Sequence, residues 1–168
     1  MTDHLDLLLI EREITITFEL LFDAIPPVDA SDILDGNMLE LFVGKAFHEI
    51  PDILEGDADP LSFFSLVELP EAKYYLGGYL LWVVRKVRYA RDYYPLYQIP
   101  EFLMVVPYIT LMGFLVSEEA VTWIKSCKTL PSLIVRILDL VVNTAGFMLD
   151  DEDRQQILQA RALYLPAA

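Results

Sequence analysis

One stretch of the chain, residues 71–94, constrains the fold more than any other. Its sequence is EAKYYLGGYLLWVVRKVRYARDYY, in which apolar residues recur at helical spacing. One stripe consists of Leu76, Tyr79, Leu80, Val83, Val84 and Val87. The opposite side carries Tyr75, Gly78, Trp82, Arg85 and Tyr89. Because a helix that is apolar or aromatic all round is normally buried on both sides, we predict that this helix lies at the centre of a bundle.

The segment before it, residues 4–24, permits two interpretations. Residues 14–18 alternate between apolar and polar positions like a strand, whereas the segment as a whole has apolar residues at helical spacing. The positions of the helical pattern are Leu7, Ile10, Ile14, Leu21 and Ile25. We favour a helix, since no other segment offers a strand partner, and Pro26 with Pro27 ends it.

Capping residues mark the other predicted helices. Asn37 with Glu40 has the form of a capping box and predicts a helix that runs to Ile50, where Pro51 stops it. Further helices are predicted to begin near Asp59, Glu101, Ser117, Pro131 and Asp150, with a kink at Pro107 in the helix that follows Glu101. The last helix is expected to dock through Ile157, Leu158, Ala160 and Leu165. The chain is therefore predicted to be all-α, a compact single domain over residues 1–168 with seven or eight helices around the central helix.

A local pattern in the sequence resembles one in small uncharacterised bacterial helical proteins. The run FFSLVELPEAKYYLGGYLLWVVRKV contains the element Pro-x-Ala-x-Tyr-Tyr-Leu-x-x-Tyr-Leu-Leu, and LDDEDRQQIL near the end is similar to their final helix, which begins with Asp or Glu. Gly77-Gly78 departs from the proline that is common in that element. The resemblance implies a prokaryotic, all-helical protein and implies no function.

Bulk properties narrow the class of protein further. No run of 18 apolar, uncharged residues exists, so we expect no transmembrane segment. The N-terminus has acidic residues where a secretory signal needs basic ones. The single cysteine, Cys127, cannot form an internal disulfide, which fits a reducing compartment. These observations predict a cytoplasmic protein and leave its oligomeric state open.

Negative charge is concentrated in the first part of the chain. Residues 1–70, the acidic half, contain 16 Asp and Glu against two basic residues, whereas residues 71–168 contain ten of each, so the net charge of −14 lies in the acidic half. Such a surface repels phosphates and attracts a basic protein surface. We therefore predict a non-enzymatic protein-binding module, such as an inhibitor, an immunity protein or an adaptor subunit. The residues expected to face the partner are Asp29, Asp32, Asp35, Asp52, Glu55, Asp57 and Asp59. The competing interpretation is that these carboxylates only keep a hydrophobic protein soluble.

The alternative function uses the aromatic and basic residues of 74–97, where seven of the nine tyrosines lie. In a subunit of a larger complex, this mixture could stack on bases and contact phosphates of single-stranded nucleic acid. Its candidate residues are Tyr75, Trp82, Arg85, Lys86, Arg88, Tyr89 and Arg91. The competing interpretation is that the tyrosines pack in the core and that the arginines pair with the acidic half.

Catalytic and metal-binding patterns are weak in this sequence. His48-Glu49 lacks the second histidine of a zinc helix, and Pro60 breaks the calcium-loop pattern of residues 55–59. Cys127 lies between Lys125 and Lys128, which could lower the pKa of its thiol, although no catalytic partner is evident in sequence. We predict no catalytic residue, no metal site and no cofactor. A small apolar ligand held between the helix of residues 102–116 and the central helix is a third, weaker possibility.

Overall fold

The computed structural model describes residues 4–26, 39–55, 64, 67–93, 111–145 and 149–167. Within these ranges the chain forms helices and no strand, which confirms the prediction of a compact all-α fold. The helices are α1 (His4–Leu21), α2 (Leu39–Phe42), a 3-10 helix (Phe47–Glu49), α3 (Ile50–Leu54), α4 (Leu69–Tyr93), α5 (Glu118–Ser126), α6 (Leu130–Ala145) and α7 (Asp151–Tyr164). Residues 111–115 are also helical.

Helix α4 lies at the centre of the fold, as predicted. It begins at Leu69, two residues before the predicted start, and ends at Tyr93, one residue before the predicted end. It contacts α1, the 3-10 helix, α3 and α6. Every residue from Tyr74 to Val84 is buried, so this part of the helix is covered on all sides. A helix that is apolar all round can be accommodated only in such a position.

Two glycines in α4 allow its neighbours to approach closely. A Cβ atom at Gly77 would lie 2.6 Å from the ring of Phe18 in α1. A Cβ atom at Gly78 would lie 2.5 Å from the carbonyl oxygen of Phe47 and 2.6 Å from Cβ of Ile50. Both distances are far below van der Waals contact, so the absence of a side chain is a packing requirement at both positions.

Residues 4–21 are helical, which resolves the ambiguity of this segment in favour of helix. The buried face of α1 carries Leu7, Ile10, Ile14, Thr17 and Phe18. Leu21 and Ile25, the last two positions of the predicted helical pattern, are about two-fifths exposed, and Ile25 lies beyond the end of the helix. The helix ends at Leu21, before the prolines, and the core contact at this end is made by the partly buried ring of Phe22.

The segment from residue 39 to residue 55 differs most from the prediction. A single helix to Ile50 was expected, but α2 ends at Phe42 and Gly44 adopts a left-handed conformation with φ of 69°. Pro51, expected to stop a helix, instead lies in the first turn of α3, where its missing N–H costs no hydrogen bond. Asn37 lies outside the described residues, and Glu49 caps the 3-10 helix by accepting the N–H of Ala46 at 2.8 Å.

The last three helices begin at or within one residue of their predicted starts, and two of them have the predicted caps. The hydroxyl of Ser117 accepts the N–H of Ala120 at 3.3 Å, and the carboxylate of Asp150 accepts the N–H of Asp153 at 2.8 Å. One face of α6 is apolar: Val142 on this face is partly buried, and its other residues, Leu133, Ile134, Ile137, Leu138 and Val141, are buried. In α7, Ile157 and Ala160 dock as expected, together with Tyr164, whose hydroxyl donates to the carbonyl of Leu115. Leu158 and Leu165 are exposed, so their predicted docking was wrong.

Candidate functional site

Only two of the seven predicted acidic contact residues lie in the described part of the chain. Asp52 and Glu55 are on the exposed side of α3 and at its C-terminal end. The other five, Asp29, Asp32, Asp35, Asp57 and Asp59, lie outside the described residues. Of the predicted acidic residues, the structure therefore describes only these two, which lie beside α4.

The two sets of predicted site residues meet where α3 packs against α4. Asp52 Oδ1 lies 3.4 Å from Arg85 Nη1, and a Glu55 carboxylate oxygen lies 2.6 Å from Lys86 Nζ. Trp82 Nε1 also donates to Glu55 at 3.0 Å. These acids and bases, predicted as separate partner-binding sets, thus contact each other within one molecule.

The strength of these pairs decides whether the acids remain available. The side chain of Asp52 is 86% exposed and its pair with Arg85 is long, so the contact contributes between about zero and 1 kcal/mol and is screened by salt. Glu55 is held more firmly, because Lys86 and Trp82 both contact it. Asp52 can exchange its internal contact for one with a partner protein. Glu55 would have to give up its contacts with both Lys86 and Trp82 to do the same.

Glu11 of α1 completes this charge network and was not predicted. Its carboxylate is only 16% exposed and lies 2.8 Å from Arg88 Nη1 and 3.8 Å from Arg85 Nε. The Arg88 contact is an ion pair without hydrogen-bond alignment. Glu11 shares one face of α1 with the buried Leu7, Ile14 and Phe18. A carboxylate on this inward face was the signal that a cation of a neighbouring helix faces it.

Most side chains of the predicted aromatic and basic cluster are buried or already paired within the same molecule. Tyr75 is fully buried, and its hydroxyl donates to the carbonyls of Phe42 at 2.9 Å and Lys45 at 3.1 Å. Trp82 is 4% exposed, whereas Tyr89 is 44% exposed. Arg91 pairs with Asp92, its neighbour in sequence, at 2.7 Å. Tyr75 and Trp82 are therefore core residues, which present no ring surface to a base.

The outer surface of α1 is a feature that sequence reasoning missed. Leu9, Ile16 and Leu20 project outward and are 52%, 45% and 81% exposed. Two exposed carboxylates, Asp6 and Glu19, lie on the same helix and have no ion-pair partner among the described residues. The available signal was that α1 contains more apolar residues than one buried face requires.

A shallow depression of about 310 Å³ lies between α1 and α6, next to this surface. Its polar lining residues are Asp6, Arg136, Asp139 and Asn143. Arg136 is turned toward Glu13 at 2.5 Å, and Asp139 is paired with Arg161 at 2.5 Å. Asp6 also lines this depression, and the described residues supply no counter-ion for its carboxylate.

Metal and thiol chemistry find no support in the described ranges. These ranges contain no group of three or more metal-ligating side chains. Burial raises the pKa of the Cys127 thiol, with Ser126 and Lys73 acting in the opposite direction to a smaller extent. The suggested activation of this thiol by the neighbouring lysines is therefore wrong. His48 lies exposed in the 3-10 helix, and residues 56–60 of the acidic loop lie outside the described part.

Across the described residues, none of the helices is both long enough and apolar enough to cross a membrane. Comparison of the chain with protein-family models, with curated proteins and with solved structures gave no match. The resemblance to small bacterial helical proteins consequently stays a prediction, and any function proposed for the chain rests on geometry and charge.

Proposed function

We propose that the protein is a non-enzymatic, carboxylate-rich protein-binding module, of the kind used as an inhibitor, immunity protein or adaptor, that engages a basic surface of a partner protein. The observation that carries this proposal is the outer surface of α1. It combines outward-facing leucine and isoleucine side chains with the carboxylates of Asp6 and Glu19, for which the described residues supply no ion-pair partner. Apolar side chains supply affinity, and the carboxylates select a cationic partner.

The distribution of ion pairs supports a net anionic exterior. All 12 Lys and Arg residues lie in the described part, and at least seven of them contact carboxylates of the same chain. The chain has 26 acidic residues, so most of its carboxylates have no cation to pair with. An excess of this kind steers a basic partner toward the surface and makes association sensitive to salt.

No observation favours the alternative, contact with nucleic acid through residues 74–97. Arg85, Lys86, Arg88 and Arg91 each have a carboxylate partner in the same molecule. A phosphate would have to displace these carboxylates while approaching an anionic protein, which opposes binding. The alternative therefore stays an untested prediction.

The proposal is tested by capturing partners from cells that naturally produce the protein. The immobilised chain should retain a protein of basic isoelectric point at low salt and release it as salt increases. Neutralising the exposed acids of α1, and the exposed Asp23 just after its end, through Asp6→Asn, Glu19→Gln and Asp23→Asn should weaken this retention.

The matched control neutralises three exposed acids elsewhere, through Glu118→Gln, Glu119→Gln and Glu152→Gln, and should retain the partner at nearly the wild-type level. Retention of nucleic acid alone would support the alternative function. Equal losses in the two variants, or retention that does not depend on salt, would contradict the proposal.

A further inference from the structure

Three outward-facing apolar residues of α1 lie along one side of the helix. At 100° per residue, Leu9, Ile16 and Leu20 fall within about 40° of one another, and they span about 16 Å along the helix axis. All three are exposed, and Leu20 is 81% exposed. We name Leu9, Ile16 and Leu20 the α1 row.

The inner side of α1 does not need these residues. Leu7, Ile10, Ile14 and Phe18 already fill the contact with α4 and are each at most 6% exposed. Single exposed leucines are ordinary in proteins, but an aligned row on one helix is typical of a surface that another element covers. No described element covers the α1 row.

Charges beside the row indicate what covers it. Asp6 and Glu13 border the row on one flank, and Arg12 and Glu19 lie on the other. Glu13 is paired with Arg136, while Asp6 and Glu19 have no ion-pair partner in the described ranges. The shallow depression beside Leu9 has the unpaired Asp6 at its edge, where a lysine or arginine side chain would find a carboxylate.

We propose that the α1 row is the docking surface of the protein and that its occupant is a cationic amphipathic helix of the partner. This inference rests on the proposed function and names its surface and its partner class. The apolar face of the incoming helix packs along the α1 row, and its basic residues reach Asp6 and Glu19. Arg12 favours an acidic or apolar residue opposite it.

A second copy of the chain is a poorer occupant than a cationic helix. Two copies would bring together surfaces with the same excess of carboxylates, in a protein with a net charge of −14. Like charges placed opposite each other oppose association. A partner helix with lysine and arginine on the flanks of its apolar face removes this repulsion.

The experiment uses the full chain and three synthetic 18-residue peptides as probes. The first contains only leucine and lysine in an amphipathic helical pattern, the second is its scrambled isomer, and the third replaces lysine by glutamate. Binding is measured by calorimetry at several salt concentrations. The amphipathic leucine–lysine peptide should bind most tightly, the scrambled isomer more weakly, and the leucine–glutamate peptide not at all.

The decisive variants replace Ile16 and Leu20 by glutamine, which preserves helix propensity. Ile16→Gln with Leu20→Gln should weaken binding of the amphipathic peptide by about tenfold or more, since two apolar contacts are lost. The control, Leu158→Gln with Leu163→Gln on α7, changes two residues that are also exposed and should bind like wild type. Circular dichroism melting checks that both variants remain folded.

The outcomes separate this inference from the proposed function. Wild-type affinity in the Ile16→Gln, Leu20→Gln variant would overturn the α1 row as the docking surface, even if salt-sensitive capture of a basic protein persisted. A dimer of the wild-type chain in sedimentation that dissociates in this variant would assign the row to a second copy. Failure of the wild-type chain to bind the amphipathic peptide would overturn the cationic helix as occupant.

Discussion

At the scale of single residues, the packing around α4 depends on two glycines, which have no Cβ atom. Gly78 allows the carbonyl of Phe47 to approach the helix, and Gly77 allows the ring of Phe18 to do so. Each glycine costs about 1 kcal/mol of helix propensity relative to alanine. The close approach of two neighbouring elements offsets this cost, so the two glycines are required by packing.

We expect Gly78→Ala to lower the free energy of unfolding by about 1–3 kcal/mol, because the new methyl group would overlap a backbone oxygen that has little room to move. Gly113→Ala is the matched control. Gly113 is an exposed glycine in a helical segment, and no atom of the described residues lies within 4 Å of its missing Cβ, so the substitution should raise stability by up to about 1 kcal/mol. Urea denaturation measures both changes, and a neutral Gly78→Ala would contradict the close approach.

Buried tyrosine hydroxyls predict a loss of stability at alkaline pH. Burial raises the pKa of both Tyr75 and Tyr164 above the ordinary value. Because the unfolded chain then releases these protons at lower pH than the folded protein does, stability is fully present below about pH 10. Above that pH the free energy of unfolding falls by up to about 1.4 kcal/mol per pH unit for each tyrosine.

Urea denaturation at increasing alkaline pH checks this slope. Tyr75→Phe and Tyr164→Phe should each make the slope shallower, even where they lower stability by removing hydrogen bonds to Phe42 or Leu115. Tyr89→Phe, at an exposed position, serves as the control and should leave the slope unchanged. A slope that stays the same in Tyr164→Phe would show that this hydroxyl does not resist ionisation.

At the scale of secondary structure elements, α1 has two different faces. Its inner face packs against α4 and carries Glu11, whose carboxylate bridges Arg85 and Arg88. Its outer face carries the α1 row. The inner ion pairs hold α1 in register on α4 and thereby fix the direction in which the row points.

Glu11→Gln should therefore lower the free energy of unfolding by about 1–3 kcal/mol, less than for a fully buried pair because both arginines are partly exposed. Glu13→Gln is the matched control, since its pair with Arg136 is about half exposed and should contribute between about zero and 1 kcal/mol. Chemical denaturation of both variants gives the comparison. Equal effects would mean that Glu11 is not a structural contact between α1 and α4.

At the scale of the whole molecule, the excess of carboxylates opposes folding. The net charge of −14 remains after the internal ion pairs have formed, so the compact state carries self-repulsion. Most of the internal pairs are at least partly exposed and contribute little individually. Repulsion should consequently outweigh these pairs in the response of stability to salt.

We expect the melting temperature to rise as sodium chloride increases from about 0.01 M to about 0.1 M, where the screening length falls from about 30 Å to about 10 Å. The Asp6→Asn, Glu19→Gln, Asp23→Asn variant should show a smaller rise, because it has fewer charges to screen. Differential scanning calorimetry measures the change. A melting temperature that falls with salt would indicate that attractive ion pairs outweigh the repulsion.

The capping residues and the periodicity of α4 show how far local information extends. Ser117 and Asp150 begin helices as their side chains predict, because a capping hydrogen bond joins residues only three apart. The burial of α4 also follows from its own composition. The break at Gly44 escaped prediction, since the apolar spacing of the segment continued across it.

The sequence by itself determined the all-α class, the central position of α4 and the concentration of negative charge in residues 1–70, because each depends on composition or on spacing within one segment. Tertiary structure alone decided which charges pair and which apolar residues stay outside. Glu11 meets Arg88, and Glu13 meets Arg136, across long stretches of chain. Such contacts, and the direction of the α1 row, depend on how helices pack, and helix packing is a property of the whole fold.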